Sequence, residues 1–205
     1  MRHGVPVVHL ESEEEYFHRQ DAELIVEMRK RAAAEEEHRR MAEASHIEDP
    51  KILDALEKLG YTHTTLVLLH LVPLVELAWI DGSVSATARS RIFALAGKRG
   101  VRDDTPAYRQ LVAWLDQRPS QGFFEGSWAA IEAAIESLPA NERRARQEGL
   151  GQICREFASA SCARFGRTSW ICAAKRGMLH KIARRLKLPH EQNPPGGLSG
   201  SARAA

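Results

Sequence analysis

The chain has 205 residues, of which 43% are hydrophobic and 6% aromatic, and its formal net charge is +2. This length suits one helical domain with extensions or two small units, and the apolar content suffices for a core of aliphatic side chains and alanine. Three cysteines without a CxxC spacing argue against a disulfide framework and a zinc ribbon, and they indicate a reducing compartment.

The two ends of the chain carry opposite charge. Residues 11–49 hold thirteen acidic and six basic side chains, whereas residues 157–189 hold eight basic side chains and no acidic one. Such asymmetry indicates either two ends that attract each other or separate faces for separate partners.

No feature of the sequence predicts export or membrane insertion. The short apolar patch near residue 5 is soon followed by acids, unlike a secretory signal. The longest apolar segment, residues 66–80, has fifteen residues, and a membrane span needs about 20. We therefore expect a cytoplasmic protein.

The first predicted element is a long charged helix. Ser12 and Glu15 form a capping box, and helix-favouring residues continue to about Ala44. Its apolar positions are too few for a sustained heptad seam: Phe17, Leu24, Ile25, Met28 and Met41. Two interpretations remain open, a solvated helix that touches the body along one edge and an arm that forms a homodimer through residues 12–45.

The next two elements flank a short loop. Asp49 and Pro50 predict the start of a short amphipathic helix, and Gly60 predicts its left-handed stop. Residues 64–80 are apolar almost all round, which predicts a central buried helix with a kink at Pro73.

Four more helices are expected after the Asp81-Gly82 turn, followed by a last one. Ser85 caps a helix to about Lys98, and Thr105-Pro106 opens the next. The others span about 123–136, 141–163 and 169–188, and the Pro/Gly/Ser-rich residues 189–205 form a disordered tail. No strand alternation is visible, so the predicted fold is all-α: a compact bundle of about seven helices plus the long N-terminal helix.

Residues 73–89, PLVELAWIDGSVSATAR, resemble the signature of the TerB-like family, which is named for tellurite resistance. That signature is a proline, an apolar run and AxADGxVSxxER. Its pattern is matched at Pro73, Leu74, Ala78, Asp81, Gly82, Val84, Ser85 and Arg89. The resemblance implies a TerB-like domain over 60–188, after an acidic helical extension over 1–59.

The family carries an internal repeat, and residues 158–186 resemble its second half, with Gly166 and Ser169 at the turn. The resemblance implies a pair of acidic positions that serve as a metal-binding or interaction face. In this chain those positions hold Ala88 and Lys175, and Asp81 is the acid that remains at the motif core.

A divalent cation is one functional alternative. A carboxylate at the Asp81 turn could ligate calcium or magnesium, but calcium takes six to eight oxygen ligands. Glu76 is the nearest further acid and lies on a different helical face. The competing interpretation is a plain Asp-Gly turn with no cofactor.

The last helix is amphipathic and cationic. Its basic residues are Lys175, Arg176, Lys181, Arg184, Arg185 and Lys187. These residues could bind an anionic membrane surface, while the absence of stacking aromatics argues against nucleic acid. The alternative is a core-packed helix with a solvated basic face.

The sequence contains no HExxH, GxSxG or phosphate-loop motif. We therefore expect a non-catalytic interaction or scaffold protein with an unidentified protein partner. The family resemblance implies a bacterial protein linked to stress response or to assemblies at the periphery of the inner membrane.

Overall fold

The computed structural model of the chain describes residues 13–45, 47, 49–165 and 170–189. Within these ranges every regular element is helical, which confirms the all-α prediction. The α-helices are α1 (Glu13–Ser45), α2 (Pro50–Lys58), α3 (Val72–Ala78), α4 (Ala86–Gly97), α5 (Pro106–Asp116), α6 (Gln121–Glu136), α7 (Ala140–Phe165) and α8 (Trp170–Arg185). None of these helices is both long enough and apolar enough to cross a membrane.

The chain divides into two compact units, Met1–Leu66 and Val67–Ala205. The predicted boundary, between residues 59 and 60, lies a few residues earlier. The segment after α2 belongs to the first unit because Glu37 on α1 binds it. The Glu37 carboxylate accepts hydrogen bonds from the backbone N–H of His63 at 2.7 Å and lies 2.8 Å from its Nδ1.

In the first unit, α2 packs against the C-terminal half of α1. Met41 is fully buried, and His38 Nε2 lies 2.8 Å from the carboxylate of Glu57. The N-terminal half of α1 differs, because its large apolar side chains are exposed.

The second unit is built around α3. All seven residues of this helix are buried, and α4, α6, α7 and α8 all pack against it. Glu76 lies in the middle of α3, and its Oε2 accepts a hydrogen bond of 2.8 Å from Trp128 Nε1 on α6. The buried carboxylate is thereby paired with a donor, as a buried polar group requires.

The single kinked helix predicted over residues 64–80 is wrong. A 3₁₀ segment, Leu66–Leu71, precedes α3, and a second one, Trp79–Asp81, follows it. Pro73 lies in the first turn of α3. Backbone N–H groups of a first turn form no intrahelical hydrogen bond, so a proline there costs none. The proline therefore starts a helix instead of bending one.

The predicted N-caps of α2, α4 and α5 are confirmed. Asp49, Ser85 and Thr105 each accept a hydrogen bond from a backbone N–H of the first turn. Ser120 caps α6 in the same way, so that helix starts before the predicted position. The expected caps Ser12 and Ser169, and the tail beyond Pro189, lie outside the described residues.

Three helices end in the same reverse-turn motif, in which one left-handed residue closes the last turn. Gly60 and Gly100, both with φ of +84°, hold this position after α2 and α4. After α8 it is held by Lys187 with φ of +51°, the one non-glycine residue of positive φ in the described ranges. Its N–H donates to Arg184 O, and the N–H of Leu188 donates to Ala183 O.

Replacing Lys187 with glycine should stabilise the protein. A left-handed conformation costs a residue with a Cβ about 1–2 kcal/mol, and part of this is offset by the greater freedom of glycine in the unfolded chain. We expect a gain of roughly 0.5–1 kcal/mol in the free energy of unfolding, measured by urea denaturation. Lys187→Ala is the control, because it removes the contact with Glu136 but keeps the strain; an equal gain in this variant would contradict the explanation.

Candidate functional site

The turn between α3 and α4 is fixed by local hydrogen bonds. Gly82 adopts φ of +81°, and its N–H donates to the carbonyl of Trp79 at 3.0 Å. Ser85 then caps α4 by accepting from the N–H of Ala88 at 3.2 Å. Ala88 is itself buried, and the cap forms without the glutamate that a capping box would place there. Asp81 is thus held at a rigid corner.

Lys175 on α8 reaches this corner from 94 residues away. Its Nζ lies 3.1 Å from Asp81 Oδ2, and its side chain is 6% exposed, against 22% for that of Asp81. A buried ammonium must be paired, and this carboxylate is the acid that pairs with it. The ion pair joins α8 to the end of the 3₁₀ segment that follows α3.

The ion pair leaves one acceptor unused. Asp81 Oδ1 is buried and has no hydrogen-bond partner within the described part of the chain. The other oxygen already faces a positive charge, because the ammonium of Lys175 stands beside Oδ2. The arrangement can therefore accept one further hydrogen bond or ligand contact at Oδ1.

Glu76 does not join Asp81 in a ligand cluster. Its carboxylate is turned to Trp128 on α6, and it is buried. Among the residues that the structure describes, no three His, Cys, Asp or Glu side chains are grouped to hold a metal ion. A divalent cation at Asp81 stays a prediction.

The six basic residues predicted for an anionic partner fall into different settings. Lys175 is buried in its ion pair. Arg185 pairs with Glu132 at 3.0 Å and lies 5.4 Å from the ring centroid of Trp128, and Lys187 contacts Glu136. Arg176, Lys181 and Arg184 are exposed and form no ion pair with the described residues. Arg185 and Lys187 are exposed as well, so these three are the exposed cations of this region without an ion pair to the described residues.

Two of the three cysteines lie in the core. Cys154 and Cys172 are free and buried. Burial raises the pKa of the Cys154 thiol to about 12, against a small opposing effect of Arg155, and Glu76 raises it further. The side chain of Cys162 lies outside the described residues.

His70 is a neutral histidine beside two arginines. The residue is exposed at the surface, but desolvation by the atoms packed around it lowers its pKa to about 4, and the positive charges of Arg146 and Arg99 lower it further. An imidazole of this kind stays neutral at physiological pH.

Some partners were not found from the sequence. Trp128 binds Glu76 across 52 residues, and Trp79 Nε1 donates to the carbonyl of Trp114 at 2.8 Å. A buried indole N–H needs a hydrogen-bond acceptor, so the sequence indicates that each tryptophan has one but does not identify it. The pair of Asp81 and Lys175 had no such signal, because the resemblance matches Lys175 with Ala88 and not with Asp81.

Comparison with known proteins gave no match: no family model, no curated protein and no solved structure matches this chain. The resemblance of residues 73–89 to the TerB-like signature therefore stays a prediction, and the site must be interpreted from its own chemistry.

Removing the charge of Lys175 should destabilise the protein strongly. Lys175→Met keeps most of the side-chain volume but leaves the Asp81 carboxylate without its cation. Breaking a fully buried pair costs about 3–5 kcal/mol, and the partial exposure of Asp81 reduces this to roughly 2–4 kcal/mol. Chemical denaturation measures the loss.

Two variants separate charge from packing in this experiment. Lys181→Met removes an exposed cation of the same helix and should change stability by less than about 0.5 kcal/mol. Adding Asp81→Asn to Lys175→Met should restore part of the lost stability, because no unpaired charge then remains. Equal stability of Lys175→Met and Lys181→Met would show that the ion pair contributes nothing.

Cys154 should be unreactive in the folded protein. With a pKa of about 12, the thiol is almost wholly protonated at pH 8, and alkylation requires the thiolate. We expect residue-resolved mass spectrometry after iodoacetamide treatment at pH 8 to find Cys154 unmodified in buffer and modified in denaturant. Rapid modification without denaturant would contradict its burial.

Proposed function

We propose that the protein is a non-catalytic helical interaction protein that associates with a second copy of itself through α1. One observation carries this proposal. The large apolar side chains that are exposed in the described chain all lie between residues 16 and 28 of α1, and each is 48–63% exposed. They are Tyr16, Phe17, Leu24, Ile25, Val26 and Met28.

Half of this set forms a stripe. At about 100° per residue, Phe17, Leu24 and Met28 fall within about 40° of one another on the helix surface. Val26 lies on the opposite face, about 180° from the middle of the stripe. Grouped exposed apolar side chains are typical of surfaces that bind another protein, because their burial is favourable.

Charge favours a second α1 in antiparallel orientation. The stripe is preceded by three glutamates at 13–15 and followed by three cations at 29–31. An antiparallel pair centred near residue 22 sets each acidic end against the basic run of the other copy. A parallel pair would instead align like charges, which is unfavourable.

The C-terminal half of α1 is already engaged, which supports this location for the contact. Arg39 pairs with Glu36 and Glu43 at 2.7 and 2.6 Å, and Arg40 also pairs with Glu36. This half packs on α2, whereas residues 16–28 contribute no buried side chain. The TerB-like resemblance adds a link to bacterial stress response or membrane-associated assemblies, as part of the same proposal.

Sedimentation equilibrium of the full chain should find a dimer at micromolar concentration. Leu24→Glu with Met28→Glu places two charges in the stripe and removes its apolar contact. We expect the dimer dissociation constant of this variant to be at least about 100-fold larger than that of the wild type. The reason is that each buried Leu or Met contributes about 1.5–3 kcal/mol to association.

Val26→Glu is the matched control. It introduces one glutamate, against two in the double variant, on the opposite face of the same helix, and it should leave the dimer intact. A wild-type chain that stays monomeric at about 100 µM, or a dimer that Val26→Glu weakens equally, would refute the proposal.

A further inference from the structure

A cavity of about 170 Å³ lies between α7 and the C-terminal half of α8. Arg155 on α7 and Arg176 on α8 both line it, and His180 adds an imidazole one helical turn beyond Arg176. Arg155 also donates to Gln152 Oε1 at 2.9 Å, which holds its guanidinium near the surface of α7. Two arginines on facing helices thus border one cavity.

The rest of the lining is apolar. The aliphatic and proline side chains are Leu179, Ile182, Ala183, Leu188 and Pro189. Gly151 completes the wall on α7. A Cβ at Gly151 would lie 2.5 Å from Leu188 Cδ1, so the absence of a side chain there allows Leu188 to pack against α7.

The electrostatics of the cavity favour an anion. No acidic residue lines it. The end of α8 would normally present unpaired carbonyl groups, which repel anions. Here the carbonyls of Ile182, Ala183 and Arg184 each accept a hydrogen bond from a backbone N–H of residues 186–188. Three of the last four carbonyls of α8 are therefore already paired and oppose the positive charges of the arginines less.

The size of the cavity limits the ligand. An engineered apolar cavity of about 150 Å³ holds benzene, so 170 Å³ accommodates a molecule of comparable size. Guanidinium groups pair in two-pronged geometry with carboxylates and phosphates, and the aliphatic wall suits a short hydrocarbon chain.

We propose that the cavity between α7 and α8 binds a small organic anion, with a carboxylate or phosphate head between Arg155 and Arg176 and a short aliphatic tail against Ala183 and Leu188. This site is distinct from the ion pair of Asp81 and Lys175 and does not depend on association through α1.

The test is titration calorimetry of the full chain with hexanoate and with hexyl phosphate. We expect saturable binding of one molecule per chain for at least one of them, and at least tenfold weaker binding of hexanol, which lacks the charge. Arg155→Ala and Arg176→Ala should each weaken binding of the anion about tenfold, the loss expected for one charge-assisted contact at a partly exposed site.

Two further variants distinguish a cavity from a diffuse basic surface. Ala183→Leu fills the cavity but keeps every cation, and it should abolish binding. Lys181→Ala removes an exposed cation of α8 that does not line the cavity, and it should leave binding unchanged. The exposed Arg176 permits its variant to be tested even if Arg155→Ala, whose side chain is partly buried, fails to fold.

A free metabolite and a lipid head group could both supply this chemistry. Vesicles that contain phosphatidate, with and without competing hexyl phosphate, separate the two sources. Vesicle binding that hexyl phosphate displaces assigns a lipid, and binding of the soluble anion alone assigns a metabolite. Absence of saturable binding at millimolar concentration, equal loss in Lys181→Ala and Arg176→Ala, or full binding by Ala183→Leu would overturn the proposal.

Discussion

The complete burial of α3 is the constraint on which the second unit depends. A helix of seven residues is too short to be stable alone, so it forms because α4, α6, α7 and α8 cover it. Its only ionisable side chain, Glu76, would be costly at such a position without a donor. The indole of Trp128 supplies that donor and thereby fixes where α6 lies relative to α3. The hydrogen bond that satisfies the buried carboxylate of α3 therefore also positions α6 in the bundle.

The ion pair that follows α3 positions a second helix in the same way. The turn holding Asp81 is set by its neighbours in sequence, through Gly82 and Ser85. Its partner Lys175 comes from the last helix, so the charge at the turn selects the rotation of α8 about its axis. Because the carboxylate is already neutralised, the corner stabilises the fold, and only the buried Oδ1 remains available to another group.

Local chemistry was predictable from the sequence and long-range pairing was not. Asp49, Ser85 and Gly60 start or end helices through bonds to residues within five positions, and those assignments are confirmed. Pro73 misled the prediction, since a proline is equally compatible with a kink and with a first turn, and the 3₁₀ segment before it leaves no periodic signal. The environment of Lys175 could not be deduced, because an amphipathic basic helix gives no indication of which cation is drawn inward. In the sequence, the buried cation of α8 looks the same as the exposed ones.

Gly151 has a consequence for how the sequence can change. Leu188 occupies the space that a side chain at position 151 would need, and this contact brings the end of α8 onto α7. The volumes at positions 151 and 188 are thus coupled although 37 residues separate them. In related chains we expect the two residues to vary inversely in size, so that an alanine or serine at position 151 is accompanied by a smaller side chain at position 188. Covariation of this kind would trace the contact between α7 and α8 without any further structure.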